Sequence, residues 1–236
     1  MSAVVVVIPV RLGSKRFPGK ALTLISGKPL IYHVWREAVK LRFSAKIIIA
    51  TDSKKVADIA ADFGAETMMT PANLRNGTER AAAVAAKIKA SYYINIQGDN
   101  YRFSHLWLER GLRDLRVRRK FDFHTLFTPI RSELEFKNIN TVKLVAVSEK
   151  GGWEAKWFTR GNRPDFSSVK HRFKHIGIYF YRRAGLLRYR GWNRGIYEDA
   201  ESLEQLRILE NNERIGLTLV RGKSISIDSP KDVANL

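Results

Sequence analysis

Apolar residues in the first half of the chain form short unbroken runs, separated by stretches with helical spacing. Residues 4–8 (VVVVI), 46–51 (KIIIAT) and 92–96 (YYINI) are rich in β-branched or aromatic side chains, as strands covered on both faces require. Residues 66–69 add a shorter strand. Helices are predicted over 29–41, with Pro29 at the start, and from Asp52 or Ser53 as cap through 63, with Gly64 closing. A third, alanine-rich helix is predicted over 77–90. This alternation implies a parallel sheet with helices on both faces, and ligands beyond the carboxyl ends of its strands.

After residue 121 the pattern changes. Residues 122–128, 141–148, 154–158 and 174–181 are strand-like, with no long helix evident between them. A helix is predicted over 199–211, with Leu203, Leu206 and Leu209 on one side, followed by short strands at 217–220 and 224–227. Gly151-Gly152 marks a turn and 161–168 a polar loop; no internal repeat is evident. The expectation is one α/β domain over 1–236, with a mostly parallel central sheet and a mixed β extension.

Composition narrows the chemistry. A chain of 236 residues, 44% hydrophobic, can bury a substantial core. It has no cysteine, which excludes a disulfide framework, zinc-thiolate and iron–sulfur sites and a cysteine nucleophile. No apolar run reaches the ~18 residues of a membrane span. The run at 4–8 lacks a preceding basic segment and stops at Pro9, so a cytoplasmic location is expected. The net charge of +19, dense at 113–120 and 182–194, invites a nucleic-acid reading but fits a solvated basic surface, or a field that draws in polyanionic substrates.

The loop after the first strand, PVRLGSKRFPGK, carries Arg11, Lys15, Arg16 and Lys20 around Gly13 and Gly19. Exposed amides and cations suit phosphate, although the glycine spacing matches neither a P-loop nor a dinucleotide fingerprint. An ordinary basic turn accounts for the same residues. Asp99 ends the strand at 92–96, and Asp228 ends the one at 224–227. Each fits a Mg2+ ligand beside a phosphate cradle, and each also fits a helix cap. His175 fits a core histidine as well as a site residue. Glu201 and Gln205, four apart on the predicted helix, share one face. Arg80 lies near a helix start, where it fits the surface.

Taken in order, these segments resemble the 3-deoxy-manno-octulosonate (Kdo) cytidylyltransferase family, also called CMP-Kdo synthetases. Ile8-Pro9-Val10-Arg11 through Pro18-Gly19-Lys20 is similar to the family's opening IPARxxSxRxPGK. Ala50-Thr51-Asp52, Asn76-Gly77-Thr78-Glu79-Arg80, Gln97-Gly98-Asp99, Val142-Lys143, His175-Ile176-Gly177-Ile178-Tyr179, Glu201 to Arg207 and Ile227-Asp228-Ser229-Pro230 follow in the family's order.

The resemblance implies a Rossmann-like nucleotidyltransferase fold, with a nucleotide-binding half over 1–120 and a sugar-binding and dimerisation half over 121–236. It implies a homodimer that uses Mg2+ to join CMP from CTP to an acidic sugar, with release of pyrophosphate, for lipopolysaccharide or capsule assembly. Arg11, Ser14 and Lys20 would hold the triphosphate; Gly77, Thr78 and Arg80 would recognise the nucleotide. Asp99 and Asp228 would ligate the metal, and with Lys20 and Arg11 form the catalytic group. Gln97, Arg160, His175, Tyr179, Glu201 and Gln205 would line the sugar site. The family's QGDEP is QGDNY here, the stretch after Arg160 departs from the usual SRxxIPW-like segment, and the NPN-like turn is reduced to Asn138-Ile139-Asn140. These departures are expected to bear on the sugar rather than the nucleotide. They leave open another sugar acid, such as an 8-amino-Kdo or a sialic-acid-like substrate, and a non-catalytic homologue. A nucleic-acid-binding role is disfavoured, because Asp99 and Asp228 would repel a polyphosphate unless a metal sits between.

Overall fold

The computed structural model describes residues 3–13, 17–43, 45–149, 151–161 and 172–236. The chain divides into two compact units, residues 1–109 with 223–236, and residues 110–222.

In the first unit, β1 (Val4–Val10) lies between β4 (Lys46–Thr51) and β6 (Tyr92–Ile96), and β5 (Glu66–Met69) extends the sheet beyond β4; all these pairings are parallel. Val6, Val7 and Ile8 are fully buried. Each such side chain contributes about 1.5–3 kcal/mol when removed from water, so these strands carry the core. The chain builds outward from β1 to β4 and β5, then crosses to β6 on the other side. That reversal opens a crevice beyond the carboxyl ends of β1 and β6.

A two-residue turn, Ser26-Gly27, with positive φ at both positions joins β2 (Leu24–Ile25) to β3 (Lys28–Pro29). Helix α1 (Leu30–Val39) starts after Pro29, which precedes the helix instead of opening it. Ser53, not Asp52, caps α2 (Lys54–Ala61), accepting from the Val56 amide at 3.4 Å. Asn76 caps α3 (Gly77–Lys87) through the Glu79 amide at 2.8 Å. A short strand, β7 (Asn100–Arg102), pairs antiparallel with the returning segment Ile225–Ser226. Helix α4 (His105–Val117), within which the boundary between the units falls, is absent from the sequence reading. Leu108, Leu112 and Leu115 form its buried stripe, but the intervening arginines and Gly111 mask the period.

In the second unit, β8 (Phe123–Pro129) pairs with β11 (Phe173–Arg182) and β12 (Ile215–Leu219), β10 (Gly152–Thr159) joins β12, and β9 (Lys143–Glu149) joins β10. Lys143 and Leu144 of β9 also pair with Lys174 and Phe173 of β11, so the pairings close into a ring. Only β8 with β12 is parallel, which makes this the mixed part of the fold. Phe121, Phe123, Phe127, Phe158 and Phe180 fill its core. Among the described residues of this unit, α5 (Glu133–Lys137) and α6 (Arg183–Gly191) also go unpredicted.

The helix expected over 199–211 is two short ones, α7 (Ile196–Glu201) and α8 (Leu206–Glu210). Ser202 takes a left-handed conformation (φ 53) that ends the first, and the Leu203 amide turns back to the Glu198 carbonyl at 3.2 Å. The leucine spacing carries no sign of the break because all three leucines lie beyond Ser202: Leu203 is buried in the connection and Leu206 opens α8. Glu201 and Gln205 therefore do not share a helix face. One ends α7 and the other precedes α8.

Candidate functional site

A backbone hydrogen bond joins the two described ends of the loop after β1. The Gly19 amide donates to the Leu12 carbonyl at 3.1 Å, and Gly19 is left-handed (φ 70), which suits a residue without Cβ. The next residues, Lys20–Leu22, form one 3-10 turn that directs the Lys20 side chain away from the loop. Its ammonium donates to the Asp99 carboxylate and, at 3.3 Å, to the Ile227 carbonyl, and lies 3.7 Å from the Asp228 carboxylate.

Two backbone features bring those aspartates together. The Ile227 amide donates to the Asp99 carbonyl at 2.9 Å, and Ser226 pairs with Asn100 in the β7 ladder. The Ser226 hydroxyl also donates to the Asn100 side chain at 2.9 Å. Asn100 therefore fastens the segment that carries Asp228 to the one that carries Asp99. Tyr101 packs against the cluster of Ile25, Leu30 and Ile227 beneath it. Neither aspartate is spent as a cap. Asp232 occupies the capping box of helix Pro230–Ala234, accepting from the Asp228 and Ser229 amides at 2.9 and 2.7 Å. Burial pushes the Asp232 carboxyl up, but these donors outweigh it and hold the group below the usual carboxylate range.

Gly98 lets the strand end approach β1: a Cβ there would meet the Pro9 carbonyl oxygen and a Val10 methyl at 3.0 Å. Arg11 donates to the Arg75 carbonyl at 3.3 Å, which joins the cationic loop to the segment before α3. There a Cβ on Gly77 would fall 2.4 Å from the Gln97 amide nitrogen, so Gly77 makes room for Gln97. Thr78 is buried. Arg80 is buried as well, so its surface reading is corrected; its guanidinium pairs with Asp52 at 2.5 Å and donates to the Thr70 hydroxyl. Ser14, with Lys15 and Arg16, lies outside the described residues.

A second polar cluster lies in the other unit. Glu201 accepts from the Thr159 hydroxyl at 2.7 Å and from the Arg160 amide at 2.8 Å. The Tyr179 hydroxyl donates to Gln205 at 3.1 Å, and the Tyr179 ring lies 5.2 Å from that of His175. His175 Nε2 is 2.8 Å from the Thr125 hydroxyl. Burial first, and the charge of Arg160 second, push His175 down to about 3, so the imidazole is neutral in ordinary buffers. Burial also holds the Tyr179 phenol protonated well above its usual value. Arg160, His175, Tyr179, Glu201 and Gln205 thus lie in one cluster, while Gln97 belongs to the first unit.

The cluster also contains Lys143, part of the Val142-Lys143 motif but given no site role by the resemblance. Lys143 is 1% exposed, and its ammonium donates to the carbonyls of Asn138 (2.9 Å) and Arg160 (2.8 Å). A lysine opening an apolar strand, KLVAV, was the available signal, since buried lysines are rare without partners.

Among the described residues no three histidine, aspartate or glutamate side chains form a metal-binding group, and no helix is long and apolar enough to cross a membrane. The Asp99–Asp228 pair still fits a hard divalent cation. It presents carboxylate oxygens from two chain segments toward a single positive charge, and Mg2+ commonly takes one or two carboxylates with substrate phosphates.

Comparison with known proteins places the chain in a family. A cytidylyltransferase family model matches residues 5–215. The chain is 36% identical over 240 residues to the 3-deoxy-manno-octulosonate cytidylyltransferase of Geobacter metallireducens, covering 96% of this chain and 93% of that protein. It is 35% identical over 237 residues to the enzyme of that name from Chloroherpeton thalassium, covering 98% and 95%. A solved CMP:2-keto-3-deoxy-manno-octonic acid synthetase complexed with CTP superposes with a TM-score of 0.90 at 34% identity, covering 99% of this chain and 96% of that one. A cytidylyltransferase from Leptospira borgpetersenii, at 15% identity and a TM-score of 0.65, covering 98% of this chain and 84% of that one, shares the fold.

Proposed function

The chain belongs to the 3-deoxy-manno-octulosonate cytidylyltransferase family and is a nucleotidyltransferase, and from that premise we propose that it transfers CMP from CTP to the anomeric hydroxyl of Kdo, releasing pyrophosphate. The observation that carries the reading is the convergence of Asp99 and Asp228 on the Lys20 ammonium. Names of relatives suggest the substrates; this geometry is what such a reaction needs from the chain.

In the proposed reaction the sugar oxygen forms a bond to the α-phosphorus of CTP, and the bond from that phosphorus to the pyrophosphate oxygen breaks. The hydroxyl proton passes to solvent. Such transfers depend on positioning and charge neutralisation more than on covalent help. Lys20 would face charge on the α-phosphate, and Arg11 would steady the departing pyrophosphate. Ser14 is assigned to the triphosphate by resemblance alone. Gly77, Thr78 and Arg80 would shape the nucleotide side, with Arg80 acting from a buried pair with Asp52. Asp99 and Asp228 would hold Mg2+, which when bound neutralises phosphate charge and acts as a Lewis acid. Arg160 would meet the sugar carboxylate as a charge-assisted donor, while neutral His175, Tyr179 and Gln205 offer hydrogen bonds, and Gln97 is assigned to the sugar as well. The reading carries with it a cytoplasmic homodimer that supplies activated sugar for lipopolysaccharide assembly.

A pyrophosphate-release assay over the four ribonucleoside triphosphates and several sugar acids tests it. CTP with Kdo should give the highest kcat/KM. Preference for a sialic acid or 8-amino-Kdo would move the sugar assignment, and no release with any pair would sink the reading.

A further inference from the structure

Arg160 is held from three sides. Its amide donates to Glu201 at 2.8 Å, its carbonyl accepts from Lys143 at 2.8 Å, and its guanidinium reaches the Asn140 carbonyl at 3.5 Å. Lys143 also donates to Asn138, so one ammonium ties Arg160 to the 138–140 turn. Both Glu201 oxygens are engaged within the chain, one by Thr159 and one by Arg160. A carboxylate so occupied is poorly placed to contact an acidic sugar, which would repel it.

We infer that Lys143 and Glu201 are a positioning pair, bracketing the Arg160 backbone from opposite sides so that its guanidinium faces the sugar acid in one orientation. Glu201 thereby acts through Arg160 instead of touching the sugar. The inference rests on the proposed function for the identity of the ligand, but the bracket itself is a property of the chain.

The placement has a physical logic. Lys143 and Arg160 are neighbouring cations, and a second positive charge beside a buried ammonium is costly. Burial and Arg160 both push the Lys143 ammonium below its usual value, and Glu201 opposes them. The carboxylate therefore offsets two charges while accepting the Arg160 amide. Lys143 sits where β9 meets β11, at the closing pair of the strand ring, so its backbone is fixed by the sheet. A backbone anchored this way leaves only the Arg160 side chain to be ordered on binding.

The test uses Lys143→Met, Lys143→Arg and Glu201→Ala in the full chain. Two readouts are needed: steady-state kinetics with CTP and Kdo, and hydrogen exchange at the Arg160 amide. Lys143→Met and Glu201→Ala should raise KM for the sugar by about 10- to 100-fold, as misplacement of a binding group does, with KM for CTP within about twofold. Exchange at the Arg160 amide should quicken at least about tenfold in both. Lys143→Arg keeps a donor and should recover most of the loss. If Lys143→Met fails to fold, Glu201→Ala and Lys143→Arg carry the comparison. Equal rises in both Michaelis constants, or unchanged exchange at Arg160, would overturn the bracket. A wild-type enzyme inactive on CTP and Kdo would overturn the proposed function instead, and the exchange data would still decide the positioning claim.

Discussion

The Asp228 carboxylate lies 3.7 Å from the Lys20 ammonium, although the two residues are more than two hundred positions apart in the chain. Asp99 meets the same ammonium. The lysine holds two carboxylates that would otherwise repel each other, and in the proposed reaction it turns to the α-phosphate. Lys20→Met is therefore expected to lower kcat by about 10²–10³-fold, the scale of losing one charged stabiliser. KM for CTP should change less, because Arg11 and the loop amides remain. Steady-state kinetics separate the two; a raised KM with unchanged kcat would mean Lys20 serves binding alone.

Gly77→Ala probes the Gln97 contact. The added methyl would fall on the end of a flexible side chain, so the fold should lose less than about 1 kcal/mol while Gln97 swings away. If Gln97 lines the sugar site, KM for the sugar rises with the melting temperature nearly unchanged. Gly111→Ala makes the contrast: its methyl would meet the buried Phe180 ring at 2.3 Å, and the cost, about 1–3 kcal/mol, should appear in stability. Thermal melts beside sugar titrations check both.

Acid should destabilise the fold through His124. The residue is 1% exposed, and burial, with the charge of Arg118 second, pushes it down to about 3. The unfolded chain takes up that proton near 6.5 and the folded chain does not. Stability is therefore full above pH 6.5 and falls as pH drops toward 3. At pH 5 this single group costs about 2 kcal/mol. Urea unfolding at pH 7.5 and pH 5 should differ by at least that much, and His124→Gln should narrow the gap. By the same argument His175 stays neutral, so a wild-type pH–rate profile should show no limb from it between pH 5 and 8.

The sequence made the first unit easy to read because its strands are unbroken apolar runs and its loops carry their chemistry in adjacent residues. Residues 4–8, 46–51 and 92–96 are strands, and the loop to Lys20 and the Asp99 strand end lie at the switch in strand order. Spacing alone left the meeting of Asp99 and Asp228 open, since it is made by the β7 ladder, two residues on one side and three on the other. That ladder also gives the departure from QGDEP a structural role: Asn100 fastens the Asp228 segment through Ser226. Helix α4 was hidden by its arginines, and the break at Ser202 left no mark because the spaced leucines all lie beyond it. Lys143 was visible as part of the Val142-Lys143 motif, but its role was not, because its partners are backbone carbonyls, which leave no mark in side-chain identity.

Pyrophosphate release from CTP and Kdo, measured with and without Mg2+ in wild type and Asp99→Asn, bears most directly on the central claim. The account predicts Mg2+-dependent release by wild type, none after chelation, and at least about a 10³-fold loss in a folded Asp99→Asn. Release that persists without any divalent cation, or an Asp99→Asn enzyme at near wild-type rate, would contradict it.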